Sequence, residues 1–440
     1  MTAIIPPREE FLSKPPVALP RSRPIDCDVL LSSTTRSQRI ASGARTFLLF
    51  ILLCSLLSLA GARLSASLQG TDFIDFYAAA RMLADGHGHQ LYDANAQRQY
   101  QARYSGRVGT LYIHPPFEAV VYLAVAWLPL KAACLLWWVL NFGFLALATH
   151  HLVAEVSSQY DWRTLFAAAL TFVPILLCLL QGQDSILLLL FFVFAFTTLR
   201  RARAFAAGCW LALGLLKFQL TLPILLLLLV SQGRTAKSGL VKGFGLVALV
   251  LAALSIAICG WSVFTAYPLF LLHLPEQPFA GIFPQAMANF RGLLFLAVPA
   301  WPSAWIFGAA SILSAMALLK AFADWRDASV DAPPNSASPE NFDVPFASTV
   351  VFALLVSYHL NPHDLSLLLL PIYLLANLNW KRTSRPRTAA GWLRASLLAI
   401  LLLPPLHLLA LRAHSYSLVA IPVLMLFLTS GSQDQNAAIK

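Results

Sequence analysis

Long runs without a charged side chain decide most of what this chain can become. Ser185–Leu199 reads SILLLLFFVFAFTTL, and runs of this kind recur between residues 46 and 430 of the 440. Inside a bilayer a backbone must satisfy its own hydrogen bonds, which a helix does within one segment. A membrane β-barrel would instead alternate polar and apolar residues over short stretches, and these runs do not. Composition agrees: 58% of the residues are hydrophobic and 12% charged, about half the charged share of a soluble domain. The expectation is an all-α polytopic membrane protein.

The apolar pattern places spans near 46–64, 117–129, 131–151, 163–181, 184–199, 204–217, 219–231, 239–260, 302–322, 346–360, 364–378, 392–411 and 416–430. Several are shorter than the roughly 20 residues of a perpendicular span, so tilted, broken or re-entrant segments are expected. The net charge of +11 does not point to nucleic acid, because the basic residues sit in short clusters between apolar runs. That is a topology signal. Arg36, Arg39 and Arg45, then Arg200–Arg203, Gly233–Lys242 and Lys381–Arg387 belong on the cytoplasmic side by that rule. About twelve crossings satisfy every cluster if 117–129 is re-entrant or interfacial, and thirteen follow if it crosses. Six scattered cysteines show no metal-ligand spacing and read as small apolar residues.

The domain reading is a cytoplasmic tail without helical periodicity over 1–45, one membrane domain over 46–430, and a short cytoplasmic tail over 431–440. Two loops of 65–116 and 261–299 fall outside, rich in aromatics, Pro, His and amides that suit half-buried surface helices. The Pro/Ser/Asp-rich stretch 324–345 reads as a cytoplasmic linker.

Polar residues that an apolar chain keeps need a reason. Gly70–Asp93 reads GTDFIDFYAAARMLADGHGHQLYD, with Asp72 and Asp75 one helical turn apart. A carboxylate beside Phe73, Phe76 and Tyr77 can serve as a general base with a tuned pKa; the plain reading is an Asp that marks or caps a helix end. Tyr112–Val120, YIHPPFEAV, brings a His and two prolines to a membrane entry, where proline in a first turn is ordinary. Gln183 belongs to QGQDS, either a tight turn or a substrate-facing one. Lys217 lies within GLLKFQLTLP, where an ammonium is expensive unless paired or wet; an anionic headgroup or simple snorkelling accounts for it. Arg291 in MANFRGLLF can grip a phosphate bidentately. His359, Asn361, His363 and Asp364 form the densest polar tip, SYHLNPHD. As metal ligands its histidines are a loose match across a proline, and phosphate or sugar binding suits them better. On the expected topology all of these converge on one membrane face. A transporter would place its binding groups near the midplane; an enzyme acting on lipid-borne substrates explains the convergence better.

In their order and spacing these residues resemble glycosyltransferase family 87, membrane enzymes of the GT-C fold class that include polyprenyl-phosphate-mannose-dependent α-mannosyltransferases. The resemblance runs from about Gly61 to Pro371, through DFIDFYAAARMLADGHGHQLYD, HPPFEAVVYLAVAWLPL, GQDSILLLL, AAGCWLALGLLKFQLTLPILLLLL, NFRGLL and SYHLNPHDLSLLLLP. Phe218 stands where a proline is common, and Tyr358 and Pro362 stand where Pro and Asp are frequent, which leaves roles at the last tip open. The resemblance implies a GT-C-type fold with extracytoplasmic loop helices in the cell membrane and an extracytoplasmic site. It implies an acidic base, which falls on Asp72, and a donor-phosphate contact from His363 or His359; Asp75 is a second acid that the pattern does not call for, and its role is open.

The expected reaction is inverting transfer of mannose or another hexose from a polyprenyl-phosphate donor to a hydroxyl of a lipid or glycan acceptor. Lys217, Arg291, His359, His363, Asp364 and Gln183 are the candidate donor-binding residues. The leaving group is already a phosphate anion, so no cofactor and no metal is implied. A lipid or solute transporter is the alternative.

Overall fold

The computed structural model describes residues 51–52, 72–106, 108–156, 161–274, 281–330, 340–381 and 389–430. The expected first span, 46–64, lies almost wholly outside them, as do both tails. Contacts divide the chain into Met1–Phe47 and Leu48–Lys440, and the features below all belong to the second unit. Every regular element among the described residues is helical.

Two helices form the middle of the core. Ser185–Arg200 and Glu340–Val356 are buried on nearly every side, as their lack of a polar face demands. Around them, four helical stretches are long and apolar enough to cross a membrane: Leu130–Val156, Ala204–Ser231, Arg234–Cys259 and Ser303–Arg326. Two bent pairs raise the number to six, Trp162–Thr171 with Val173–Gln181 at 74° and Gly391–Leu402 with Pro404–Arg412 at 58°. An expectation of twelve or thirteen crossings would need the shorter apolar helices to cross as well. Pro116–Ala126 has only 11 residues and packs on Phe73–Ala84, so length alone keeps it from crossing.

Ala204–Ser231 is continuous in hydrogen bonding but not straight. Thr221 Oγ1 donates to Gly214 O at 2.6 Å, whereas seven residues of a straight helix span about 10 Å. The chain therefore turns at Gly214–Lys217, a 3₁₀ segment that ends on a non-helical Lys217. Packing agrees. Ala204 lies against Gly239, and Gly208 against Leu240 and Phe244, so Ala204–Leu213 and Arg234–Cys259 start side by side and run the same way. Phe218–Ser231 must return the chain, which matches the expected break between 204–217 and 219–231 and puts Lys217 at the turn.

The stretch 324–345 departs from its reading as a linker. Helix Ser303–Val330 continues to residue 330 and the next helix starts at Glu340; only 331–339 lie outside the described residues. At the start of the stretch the polar groups pair inward. Asp324 accepts from Lys320 Nζ at 2.5 Å and Ser348 Oγ at 2.7 Å, and Trp325 Nε1 donates to Thr349 Oγ1 at 2.9 Å.

Between the longer elements, the segments expected as half-buried surface helices form Phe73–Ala84, Ala94–Ser105, Val263–His273 and Phe290–Ala297. Local chemistry sets their ends. Asp93 accepts from the backbone N–H of Asn95 and Ala96 at the start of Ala94–Ser105, and Gly106 closes that helix in the left-handed region. Asn289 caps Phe290–Ala297 by accepting from Gly292 N at 2.8 Å, and its amide donates to Ser357 O at 2.8 Å.

The close pair Ala204–Leu213 and Arg234–Cys259 gives a direct test of the packing. A Cβ on Gly243 would collide with the Phe205 carbonyl. Gly243→Val is expected to lower stability by about 1–3 kcal/mol, read as a lower thermal midpoint in detergent, while Gly245→Val, where a Cβ meets nothing within 4 Å, leaves it near wild type.

Candidate functional site

One turn organises the site. Helix Val173–Gln181 ends at Gly182 with φ +69°, a conformation glycine adopts without strain. A Cβ there would lie 2.7 Å from Phe73 Cβ, so the turn packs directly on the start of the Asp72 helix. Gln183 then reaches Asp72, donating from Nε2 to Oδ2 at 2.7 Å.

Asp72, Asp75, His114, Gln181, Gln183, His359, Asn361 and His363 line one cavity of about 210 Å³, with Thr110 and Phe283 beside them. The two acids differ. Asp75 is buried, accepts from Gln101 Nε2 at 3.0 Å and takes a short bond from the Thr110 hydroxyl. Burial raises its carboxyl well above the ordinary range, and the charge of Asp72 adds to that. Asp72 is only half-buried by accessible area, and Gln183 is the one side chain bonded to it among the described residues. Burial raises its pKa too, against the Gln183 bond and the Lys217 charge, which lower it. Asp72 is thus the carboxylate free to meet a ligand, while Asp75 is spoken for.

The late tip supplies the opposite wall. Its irregular stretch Ser357–Asn361 turns into a 3₁₀ segment, Pro362–Leu368, where Asn361 N donates to Asp364 Oδ2 at 2.8 Å. His363 Nδ1 lies 2.8 Å from Gln181 Oε1, and His359 Nε2 lies 3.3 Å from Asn361 Nδ2. Burial holds the His359 imidazole down to about 4 and that of His114 to about 3, so both rings are neutral in the empty cavity.

Lys217 and Asp364 sit under the cavity rather than in its lining. The Lys217 ammonium is 2% exposed, 2.6 Å from Asp364 Oδ1, 2.8 Å from Ser185 Oγ and 3.2 Å from Asp184 Oδ1. Ser185 Oγ also donates to Asp364 Oδ1 at 2.8 Å. The ammonium donates to Asp364 and Ser185 and lies in ion-pair range of Asp184, so protein groups surround it. Arg291 is also displaced from the expected place. Its guanidinium donates to Tyr358 O at 3.1 Å and lies 4.4 Å over the Tyr358 ring, and it lines a separate pocket with Phe290, Phe307 and Ser314. Of the sequence candidates, then, Asp72, Asp75, Gln183, His359 and His363 meet at the cavity; Lys217 and Asp364 support its floor; Arg291 stands apart.

Sequence reasoning named Asn361 with the polar tip but did not single out His114, Gln181 or the buried Glu118 and Asp184 as site residues. Glu118 carried a usable signal, a carboxylate one helical turn after a histidine at the mouth of an apolar helix. Among the described residues no three His, Cys, Asp or Glu side chains are grouped to hold a metal ion.

A second cavity of about 120 Å³ adjoins the first. Leu216, Phe218, Tyr267, Leu271, Leu274 and Ile282 give it an apolar wall, and it shares Ile113, His114 and His359 with the polar cavity.

The model of glycosyltransferase family 87 matches residues 112–357, more than half of the chain. The matched region includes His114, Glu118, Gln183, Asp184 and Lys217; Asp72, Asp75 and the His359–Asp364 tip flank it. No curated protein and no solved structure matches.

Lys217→Met removes the ammonium and strands two buried carboxylates. It is expected to destabilise the protein by about 3–5 kcal/mol, read by thermal unfolding in detergent. A variant of unchanged stability that fails to bind donor would return Lys217 to the substrate.

Proposed function

We propose that this chain, which belongs to glycosyltransferase family 87 and is a membrane glycosyltransferase, moves one hexose from a polyprenyl-phosphate donor to an acceptor hydroxyl at the extracytoplasmic face. The observation that carries this reading is the adjacency of the two cavities. A lipid-linked sugar has a polar head and an apolar tail joined by a phosphate. A polar pocket holding a carboxylate, opening across Ile113, His114 and His359 onto an apolar groove, has the same sequence of surfaces. At about 210 Å³ the polar side is below the 300–1,000 Å³ or so of sites for larger ligands, which favours a single sugar ring.

Asp72 is the base. It accepts the acceptor's hydroxyl proton as that oxygen attacks C1 of the donor sugar. The C1–O bond to phosphate breaks on the opposite face, its electron pair stays with the phosphate oxygen, and the configuration at C1 inverts. Gln183 holds Asp72 in place through one carboxylate oxygen, leaving the other to the acceptor. His359 and His363 line the same pocket and meet the sugar and phosphate as neutral hydrogen-bonding groups. Mannose is the sugar favoured by the family's best-known members.

Asp72 works only when ionised, and its pKa is raised from the ordinary 3.8. Activity is therefore lost as pH falls through that raised value, and the acid limb of the kcat profile lies above 3.8. Asp72→Asn is expected to keep the fold and reduce transfer about 10²–10⁴-fold. The assay is purified protein with labelled polyprenyl-phosphate sugars and membrane extract. Near-normal turnover by the variant would remove Asp72 as base, and uptake of solute into vesicles without any glycosylated product would favour a transporter instead.

A further inference from the structure

Under the cavity lies a group of acids that the scheme above does not use. Glu118 is fully buried, with one oxygen 3.0 Å from His114 Nδ1, and the charge of Asp184 acts on its carboxyl. Asp184 in turn pairs with Lys217, which pairs with Asp364. Three buried carboxyl groups therefore share one ammonium. Leaving all three ionised would strand uncompensated charge away from water, which proteins avoid by protonating one of them. Glu118 is the member farthest along the chain of contacts from the ammonium, and it is the one that touches an imidazole.

We infer that His114 is a catalytic residue of this transferase and that Glu118 is its positioning partner and proton reserve. The inference rests on the lipid-phosphate donor proposed above and specifies where its phosphate sits. Among the described residues the polar cavity and the apolar groove share Ile113, His114 and His359, so the phosphate that joins sugar to lipid passes these three side chains. With Nδ1 turned to Glu118, Nε2 of His114 is the other hydrogen-bonding atom of the ring, and it has no partner among the described residues. A protonated Glu118 donates to Nδ1, so the neutral ring carries its hydrogen on Nε2 and offers it to the phosphate oxygen.

The step balances without an outside proton. As the C1–O bond breaks and its electron pair moves to the phosphate, negative charge grows beside His114. The Glu118 proton crosses to Nδ1, giving an imidazolium that faces the phosphate and a carboxylate that faces away from it. The protein's net charge is unchanged, and the cation appears where the new anion forms. After the lipid phosphate leaves, the proton returns to Glu118. The charged and titratable groups around His114 are Glu118, Asp184, Lys217, His359 and Asp364; Lys217 and Asp364 neutralise each other, which leaves Glu118 and Asp184 to set the state of the ring.

The test is steady-state transfer from a labelled polyprenyl-phosphate sugar by wild type, His114→Gln, Glu118→Gln and the double variant. Wild type must turn over; if it does not, the proposed donor is wrong, and this inference falls with it for a distinguishable reason. With an active wild type, each single variant is expected to lower kcat about 10²-fold with donor KM within about threefold. The double variant should be no slower than either single one, because the two residues act as one unit. Near-normal kcat in either single variant, or losses that multiply in the double, would overturn the inference. His114 is partly exposed at the cavity edge, so His114→Gln leaves the buried acids in place and decides the question alone if Glu118→Gln does not fold.

Discussion

The site depends on one ammonium. Lys217, at a turn between two helical halves, ties the Gln183–Ser185 turn to the Pro362–Leu368 segment through Asp184, Ser185 and Asp364. Those two segments carry Gln183 and His363 to opposite sides of one cavity. An ion group buried this deeply gains little net stability from its own attraction. Its effect is on specificity: any other arrangement of these turns would leave a charge unpaired in an apolar interior. The price is conformational freedom, and the return is a floor rigid enough to hold Asp72 and the histidines in register.

Much of this was legible in the residues because a chain so apolar leaves few places for polar groups to hide. Asp72, Asp75, Gln183, Lys217 and the His359–Asp364 tip stood out as exceptions, and all of them meet in or under one cavity. The division between cavity and floor was not legible. Lys217 looked like a phosphate ligand because a lone ammonium needs an anion, yet its anions are Asp184 and Asp364, the latter 147 positions away. Nothing in local spacing announces such a partner. The place of Arg291 was not legible for a similar reason: its contacts with the Tyr358 carbonyl and ring act through space. Residues 324–330 and 340–345 read as linker because the Pro, Ser and Asp residues of 331–339 dominate the composition of the whole stretch.

His114 and Glu118 show the opposite failure. Their spacing of one helical turn was visible, but Pro115 and Pro116 already gave the segment an ordinary structural reason to exist, as the opening of helix Pro116–Ala126. Only the position of the pair, at the join between a polar pocket and an apolar groove, gives them chemical meaning. That join also links the parts of the account. Head, phosphate and tail of a lipid-linked sugar would lie in order along the two cavities, with the base at the sugar end and the His114 ring at the phosphate.

The placement of the donor is the central claim, and a structure of the protein with a non-transferable polyprenyl-phosphate sugar bound tests it most directly. The account predicts sugar density against Asp72, phosphate between His114 and His359, and the first isoprene units along Phe218 and Tyr267. Phosphate bound at Arg291 on the far side of Tyr358, with the Asp72 cavity empty, would contradict it.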